Sequence, residues 1–105
     1  MPTTITRWAD STPPNPDVLL TRLRATGQRY TTWSNAPGDT YAPHSHSYDK
    51  HLVCLSGSIR FTLPATGAAL ELSAGDELRL PAGTPHGAIV GVDGVQCAEA
   101  HLAAC

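Results

Sequence analysis

Two histidines separated by a single residue are the first candidates for chemistry in this sequence. His44 and His46 lie in the stretch 38–57. If the chain is extended there, the alternation of side chains places both imidazoles on one face of a strand, where two ring nitrogens can converge on one ion. A metal site needs more ligands. His86, forty residues after His46, is the third candidate because it lies where a Gly/Pro turn leads into an apolar strand.

The elements that must position these histidines are short strands. From Arg29 onward, runs of four to seven residues are separated by Gly/Pro turns, and no second helical period appears. We predict strands over residues 30–33, 42–46, 50–55, 58–63, 68–72, 77–80, 86–90 and 95–101. Residues 56–57 and 91–94 are interpreted as turns. Seven or eight strands at this spacing favour an antiparallel sandwich or a small barrel.

The N-terminal part of the chain has a different pattern. Residues 1–14 are rich in Thr, Ser and Pro and are interpreted as a loose arm that Trp8 ties to the body. Asn15-Pro16-Asp17 is typical of a helix start, and we expect the helix to run to about Ala25. Its apolar stripe comprises Val18, Leu19 and Leu23. We divide the single structural domain into an arm with a short helix, residues 1–29, and a barrel, residues 30–105.

Composition excludes several classes of function. A length of 105 residues fits one domain, and a net charge of -2 with seven basic residues argues against a nucleic-acid partner. No run approaches the roughly 20 apolar residues of a membrane span, and the first fifteen residues contain no apolar signal segment, so we expect a cytoplasmic protein. Three cysteines make no disulfide framework. We expect Cys54 and Cys97 to be buried in strands and Cys105 to lie at a frayed end.

Two spaced motifs in this sequence resemble those of the cupin family. The first has the form G-x5-H-x-H-x3,4-E-x6-G, and the second G-x5-P-x-G-x2-H-x3-N. The matching positions are Gly38, His44, His46 and Gly57 for the first motif and Gly75, Pro81, Gly83 and His86 for the second. Two positions depart, because Lys50 stands in place of the family's glutamate and Val90 in place of its asparagine. The resemblance covers roughly residues 30 to 100. It implies an all-β, antiparallel jelly roll, the double-stranded β-helix or cupin barrel, after one short N-terminal helix.

The resemblance also implies a metal centre inside the barrel. His44, His46 and His86 would bind a divalent transition metal (iron, manganese, nickel, copper or zinc) and leave positions open for water, substrate or dioxygen. The motif's variable spacing would also admit His51 as a fourth ligand in place of the missing glutamate. Alternation disfavours it, because His51 is adjacent to Lys50 and faces the other side unless a bulge intervenes. Tyr41 flanks the histidine pair as a candidate catalytic hydroxyl donor, although a turn-anchoring role suits it equally.

Lys50 is the departure with the largest consequence for chemistry. An ammonium in place of a carboxylate ligand replaces attraction to a dication by repulsion. The amine can lose its proton and act as a catalytic base or a ligand, or move to the barrel mouth and bind an anionic substrate. Alternatively, the site has lost its metal, or Lys50 is a solvated surface residue.

Three function classes fit these residues. Our leading hypothesis is a small metal-dependent cupin enzyme, of dioxygenase or isomerase type, that acts on a small organic molecule. The second is a non-catalytic module that binds a small ligand without a required metal. The third is a structural dimer, since cupins often associate through their sheets, and in each case we expect a homodimer. No nucleic acid and no membrane are expected as partners.

Overall fold

The computed structural model describes residues 3–12 and 14–102, so Cys105 lies outside the described residues. The described chain forms seven strands and one helix. These elements are β1 (Thr4–Thr6), α1 (Pro16–Ala25), β2 (Thr31–Asn35), β3 (Thr40–His44), β4 (Asp49–Leu63), β5 (Ala68–Ser73), β6 (Glu77–Leu80) and β7 (His86–Leu102). The all-β antiparallel prediction is confirmed: the strands follow the order β1-β6-β4-β7-β2, with β3 on β7 and β5 on β4.

The two longest strands, β4 and β7, form the central ladder of the barrel. Each continues through a segment that we predicted to be a turn, residues 56–57 in β4 and 91–94 in β7, and the register shifts on either side of Gly57. Gly57 has a φ of +73°, and a Cβ atom there would lie 2.0 Å from the carbonyl oxygen of Gly94. These glycines therefore bend two paired strands that continue past them, and the turn predictions were wrong.

Helix α1 covers the outer face of the sheet. The side chain of Asn15 accepts a hydrogen bond of 2.8 Å from the amide of Asp17, Pro16 occupies the first turn, and the helix ends at Ala25 as predicted. Leu19 and Leu23 are buried with a group of outward-facing strand residues, namely Val53, Leu55 and Ala98. Val18 is 46% exposed and does not belong to this stripe. No helix in the described ranges is long and apolar enough to cross a membrane.

The N-terminal arm is more ordered than its composition predicts. Residues Thr4–Thr6 pair with β6 as a short antiparallel edge strand, which corrects the interpretation of a loose arm. Trp8 ties the arm to the body as predicted, since its amide donates to Asp76 at 3.0 Å and its ring packs beside Gly75. The opposite face of the sheet encloses the main core, which contains Leu52, Cys54, Ile59, Phe61, Leu63, Leu72, Leu78, Leu80, Ala88, Val90, Val95 and Cys97.

Candidate metal centre

Three histidines converge where the end of β3 and the loop after it meet the start of β7. His44 ends β3 and is the register partner of His86, the first residue of β7. His46 follows in the connecting loop, and its carbonyl accepts a hydrogen bond of 2.8 Å from Gly83, which holds the loop against the preceding turn. The ring centroids lie 4.7 Å apart for His44 and His46, 4.6 Å for His44 and His86, and 5.3 Å for His46 and His86. One candidate ligand atom from each ring lies within 4.8 Å of the others.

Backbone carbonyls determine which ring nitrogen of two histidines carries a proton. His44 Nδ1 bonds the carbonyl of Ala42 at 2.8 Å, and His86 Nδ1 bonds that of Thr84 at 2.9 Å. A carbonyl only accepts, so each Nδ1 must carry the proton, and Nε2 of the neutral ring keeps its lone pair. This is the arrangement by which an outer hydrogen bond orients a metal-ligating histidine.

Two buried nitrogens in the cluster have no hydrogen-bond partner. Among the buried side-chain atoms of residues 3–12 and 14–102, these are Nε2 of His46 and Nε2 of His86. An unpaired buried polar atom is unfavourable, and a cation would satisfy both lone pairs. Ligand atoms at about 2.0–2.2 Å from one ion lie about 3.3–3.6 Å apart in a tetrahedral site, so three ligand atoms within 4.8 Å of one another are near the spacing that a shared metal requires. The residues fit a divalent transition metal.

The protonation states of the cluster also suit a metal. Burial lowers the pKa of His46, and the ammonium of Lys50 and the two neighbouring imidazoles lower it further. Burial likewise lowers the pKa of His86, with a smaller contribution from Lys50, against a carbonyl hydrogen bond that raises it. Both rings are therefore held in the neutral form that binds metals.

The histidines open into a cavity of about 220 Å³. Ile59, Phe61 and Ala88 form an apolar wall. The remaining lining residues are aromatic or charged: Trp33, Tyr41, Tyr48, Lys50 and Glu99, together with the three histidines. A cavity of this size, with one apolar wall and convergent histidine, lysine and carboxylate side chains, has room only for a small organic ligand.

Lys50 lies in this cavity and not on the solvated surface. Its side chain is 11% exposed, and Nζ lies 3.3 Å from Oε1 of Glu99, whose side chain is 12% exposed. Lys50 is thus brought to the same cavity as the histidines. The ammonium does not stand alone, because a carboxylate from β7 balances its charge.

Glu99 is the functional residue that the sequence reasoning missed. Burial alone would raise its pKa, but the hydrogen bond from His101 and the charge and hydrogen bond of Lys50 hold the pKa below its usual value. The indole of Trp33 also donates to Glu99, at 3.2 Å. A signal existed in the sequence: Glu99 alternates with two alanines in the last strand, at the period of the inward-facing Cys97. A carboxylate therefore enters the barrel from β7, although the motif lacks one at position 50.

Two tyrosines complete the wall of the cavity. Tyr48 stacks between His46, at a centroid distance of 4.9 Å, and His101, at 4.0 Å, and burial raises its pKa, as does the charge of Glu99. Tyr41 lines the cavity but is 41% exposed, and its hydroxyl donates to Oδ1 of Asn35 at 2.6 Å. The catalytic role of Tyr41 stays a prediction, and in this structure its hydroxyl proton is engaged by Asn35.

The structure does not bring His51 to the three other histidines. Its side chain is buried on the outer face, where Nδ1 bonds Gln28 at 2.8 Å and Nε2 bonds Glu77 at 2.7 Å. No bulge separates His51 from Lys50, so the two adjacent side chains face opposite sides of β4. We correct the four-histidine alternative accordingly and leave His51 out of the ligand set.

Comparisons with known proteins agree with this architecture. The family model described as "Cupin domain" matches residues 31–96. A protein of unknown function from Rhizobium leguminosarum bv. viciae has a TM-score of 0.64 at 16% identity, over 70% of this chain and 68% of its own. A conserved protein of unknown function from Streptococcus pyogenes has a TM-score of 0.62 at 26% identity, and the match covers 70% of this chain and 62% of that protein. A DUF861 family protein from Thermotoga maritima has a TM-score of 0.63 at 15% identity, and the match covers 96% of this chain and 100% of that protein. A comparison with curated proteins finds no match.

These structural similarities show only that the fold is shared. The identities to the Rhizobium and Thermotoga proteins are 16% and 15%, and the Streptococcus protein, at 26%, is itself of unknown function. This chain spans 62% of the length of the Streptococcus protein. Any function must therefore be inferred from the residues that line the cavity.

Proposed function

The chain belongs to the cupin family, and from this premise we propose that it is a small metal-binding cupin whose ligands are His44, His46 and His86. The observation that carries the proposal is the convergence of these three rings within 4.8 Å, with unpaired Nε2 atoms on two of them. The identity of the metal is left to measurement, since imidazole suits iron, nickel, copper and zinc alike.

We further propose that this metal centre is catalytic and acts on a small organic molecule, in a reaction of dioxygenase or isomerase type. A bound metal would supply Lewis-acid polarisation of the oxygens of that molecule. The chain's own residues do the rest: Ile59 and Phe61 exclude water from one side of the cavity, and the carbonyl-bonded Nδ1 of His44 keeps its ring oriented.

The pairing of Lys50 with Glu99 supports one of the roles considered for the lysine. An ammonium has three donors, and the contact to Glu99 engages one of them. Because that carboxylate already balances the charge, Lys50 is suited to hold a ligand oxygen by hydrogen bonding. A neutral amine acting as a base would leave the Glu99 carboxylate without its counter-ion in a nearly buried site, which is unfavourable.

Elemental analysis of the purified chain tests the metal proposal. We expect near-stoichiometric metal in the native chain and its loss in His86→Ala, since that variant removes a buried ligand. His51→Ala is the matched control, because His51 is also a buried histidine but lies on the outer face of β4, bonded to Gln28 and Glu77, so its loss should leave the metal content unchanged. Equal metal content in native and His86→Ala protein would contradict the assignment.

A non-catalytic module that binds a small ligand without a metal is the second candidate. The presence of Lys50 at the family's glutamate position is the observation that favours it. Absence of metal from both the native chain and His86→Ala, after purification without chelators, would support this candidate over the enzyme. The homodimer and the cytoplasmic location stay predictions.

A further inference from the structure

Two cysteines face each other inside the barrel, and the function proposed above does not use them. Cys54 of β4 and Cys97 of β7 are register partners in the central ladder. Both residues are 0% exposed and belong to the main core. As buried cysteines they would ordinarily be inert small hydrophobic residues, so their mutual geometry decides whether they do more.

Backbone hydrogen bonds show that Cys54 and Cys97 form a non-hydrogen-bonded pair, the kind of antiparallel pair whose two residues lie closer together. The amide of Cys54 donates to the carbonyl of Asp76 at 3.0 Å, and its carbonyl accepts from the amide of Gly75 at 2.8 Å. Both groups of Cys54 therefore point away from β7, and its pair with Cys97 is not hydrogen-bonded. Such pairs have Cα atoms about 4.5 Å apart, which lies within the roughly 4.4–6.8 Å that a disulfide spans.

The two thiols also affect each other's ionisation. A hydrogen bond from Cys97 lowers the pKa of Cys54 against the opposing effect of burial, and the same bond, together with burial, raises the pKa of Cys97. Cys54 is therefore the thiol that more readily becomes a nucleophilic thiolate; in the thiol form its S–H donates to the carbonyls of Ser56 at 3.5 Å and Gly57 at 3.8 Å.

We propose that Cys54 and Cys97 are a disulfide-forming site for a small peroxide oxidant. The Cys54 thiolate attacks one peroxide oxygen, the O–O bond breaks, and Cys54 becomes a sulfenic acid while hydroxide leaves and is protonated to water. The sulfur of Cys97 then attacks the sulfur of Cys54, losing its proton as a second water leaves. Two thiols and one hydrogen peroxide give one disulfide and two waters, so two electrons pass from sulfur to oxygen.

The bond would join the strands that carry the Lys50–Glu99 pair. Cys54 follows Lys50 by four residues and Cys97 precedes Glu99 by two, on the same faces of their strands. Oxidation would therefore cross-link β4 to β7 in the core next to this pair. This inference does not depend on a bound metal.

Peroxide treatment of Cys105→Ser protein tests the site, since this background leaves two thiols. The protein is treated with hydrogen peroxide, unfolded, alkylated with iodoacetamide, and digested. We expect loss of both alkylation sites, a peptide joining Cys54 to Cys97, and a Tm raised by about 10 °C that dithiothreitol reverses. The native chain, treated in parallel, should give the same joined peptide.

The matched control is Cys97→Ser in the same background. It lacks the second sulfur, so we expect Cys54 to be trapped by dimedone as a sulfenic acid and no joined peptide to form. Three results in the Cys105→Ser protein would overturn the proposal: two alkylated thiols after peroxide, dimedone adducts without a joined peptide, or a disulfide found only between chains. Because these readouts do not use the Cys97→Ser variant, the test stands even if that variant does not fold.

Discussion

Removing one member of the Lys50–Glu99 pair should destabilise the protein strongly, and removing both should not. Lys50→Met leaves a carboxylate in the cavity without its counter-ion, and Glu99→Gln leaves an ammonium there. The two side chains are 11% and 12% exposed, so solvent screens their interaction only weakly. The double variant replaces the charges by neutral side chains of similar length.

The magnitude follows from the distance between the charges. At 3.3 Å and an effective dielectric constant of about 20, the attraction is ~5 kcal/mol. Loss of one partner of a buried pair typically costs about 3–5 kcal/mol. Lys50→Met should fall near the lower end, because Glu99 keeps its hydrogen bonds from Trp33 and His101. The double variant should lose only about 1 kcal/mol, since replacing a buried pair by neutral groups is often close to neutral.

Urea unfolding at pH 7, followed by far-UV circular dichroism, measures these free energies. Circular dichroism is preferred to fluorescence because Trp33 contacts Glu99 directly. With single losses of about 3 and 3–5 kcal/mol and a double loss of about 1 kcal/mol, a double-mutant cycle should return a coupling of about 5–7 kcal/mol. If each single variant loses less than about 1 kcal/mol, or if the double variant loses the sum of the singles, the side chains are not a buried pair and the reasoning fails.

Three further predictions follow from other contacts. Lys50→Glu should bind zinc at least about tenfold more tightly than Lys50→Met in a chelator competition, because it places a carboxylate beside the cluster; equal affinity would mean that position 50 does not face the ion. The pKa of Asp76 is lowered because hydrogen bonds from Ser73, Trp8 and Arg7 outweigh the effect of burial. The stability that these bonds give the fold is therefore present above the unfolded pKa of about 3.9 and is lost as the pH falls through the folded pKa. Asp76→Asn should therefore lose about 1–3 kcal/mol at pH 7 and progressively less as the pH falls below about 3.9 in urea unfolding, whereas a loss independent of pH would contradict this origin. Asn15→Ala should lose about 1 kcal/mol, because it removes the helix cap; an unchanged urea midpoint would show that the cap does not contribute.

Local patterns predicted much of this fold. Strand β6 covers Glu77–Leu80 as predicted, and the helix begins after Asn15 and ends at Ala25, because turn residues and helix caps act over a few neighbouring positions. The predicted turns at 56–57 and 91–94 failed for a physical reason. A glycine with positive φ can end a strand or bend one that continues, and only the partner strand decides between them.

The sequence by itself determined that adjacent residues of a strand lie on opposite sides of the sheet. Lys50 faces the cavity and His51 the helix, because side chains alternate from one residue to the next whatever the rest of the chain does. Only the tertiary structure decided that Lys50 meets Glu99 and that Cys54 meets Cys97. Those contacts depend on the register between β4 and β7, which are far apart in the chain, and register is set by the packing of the whole barrel and not by either strand alone.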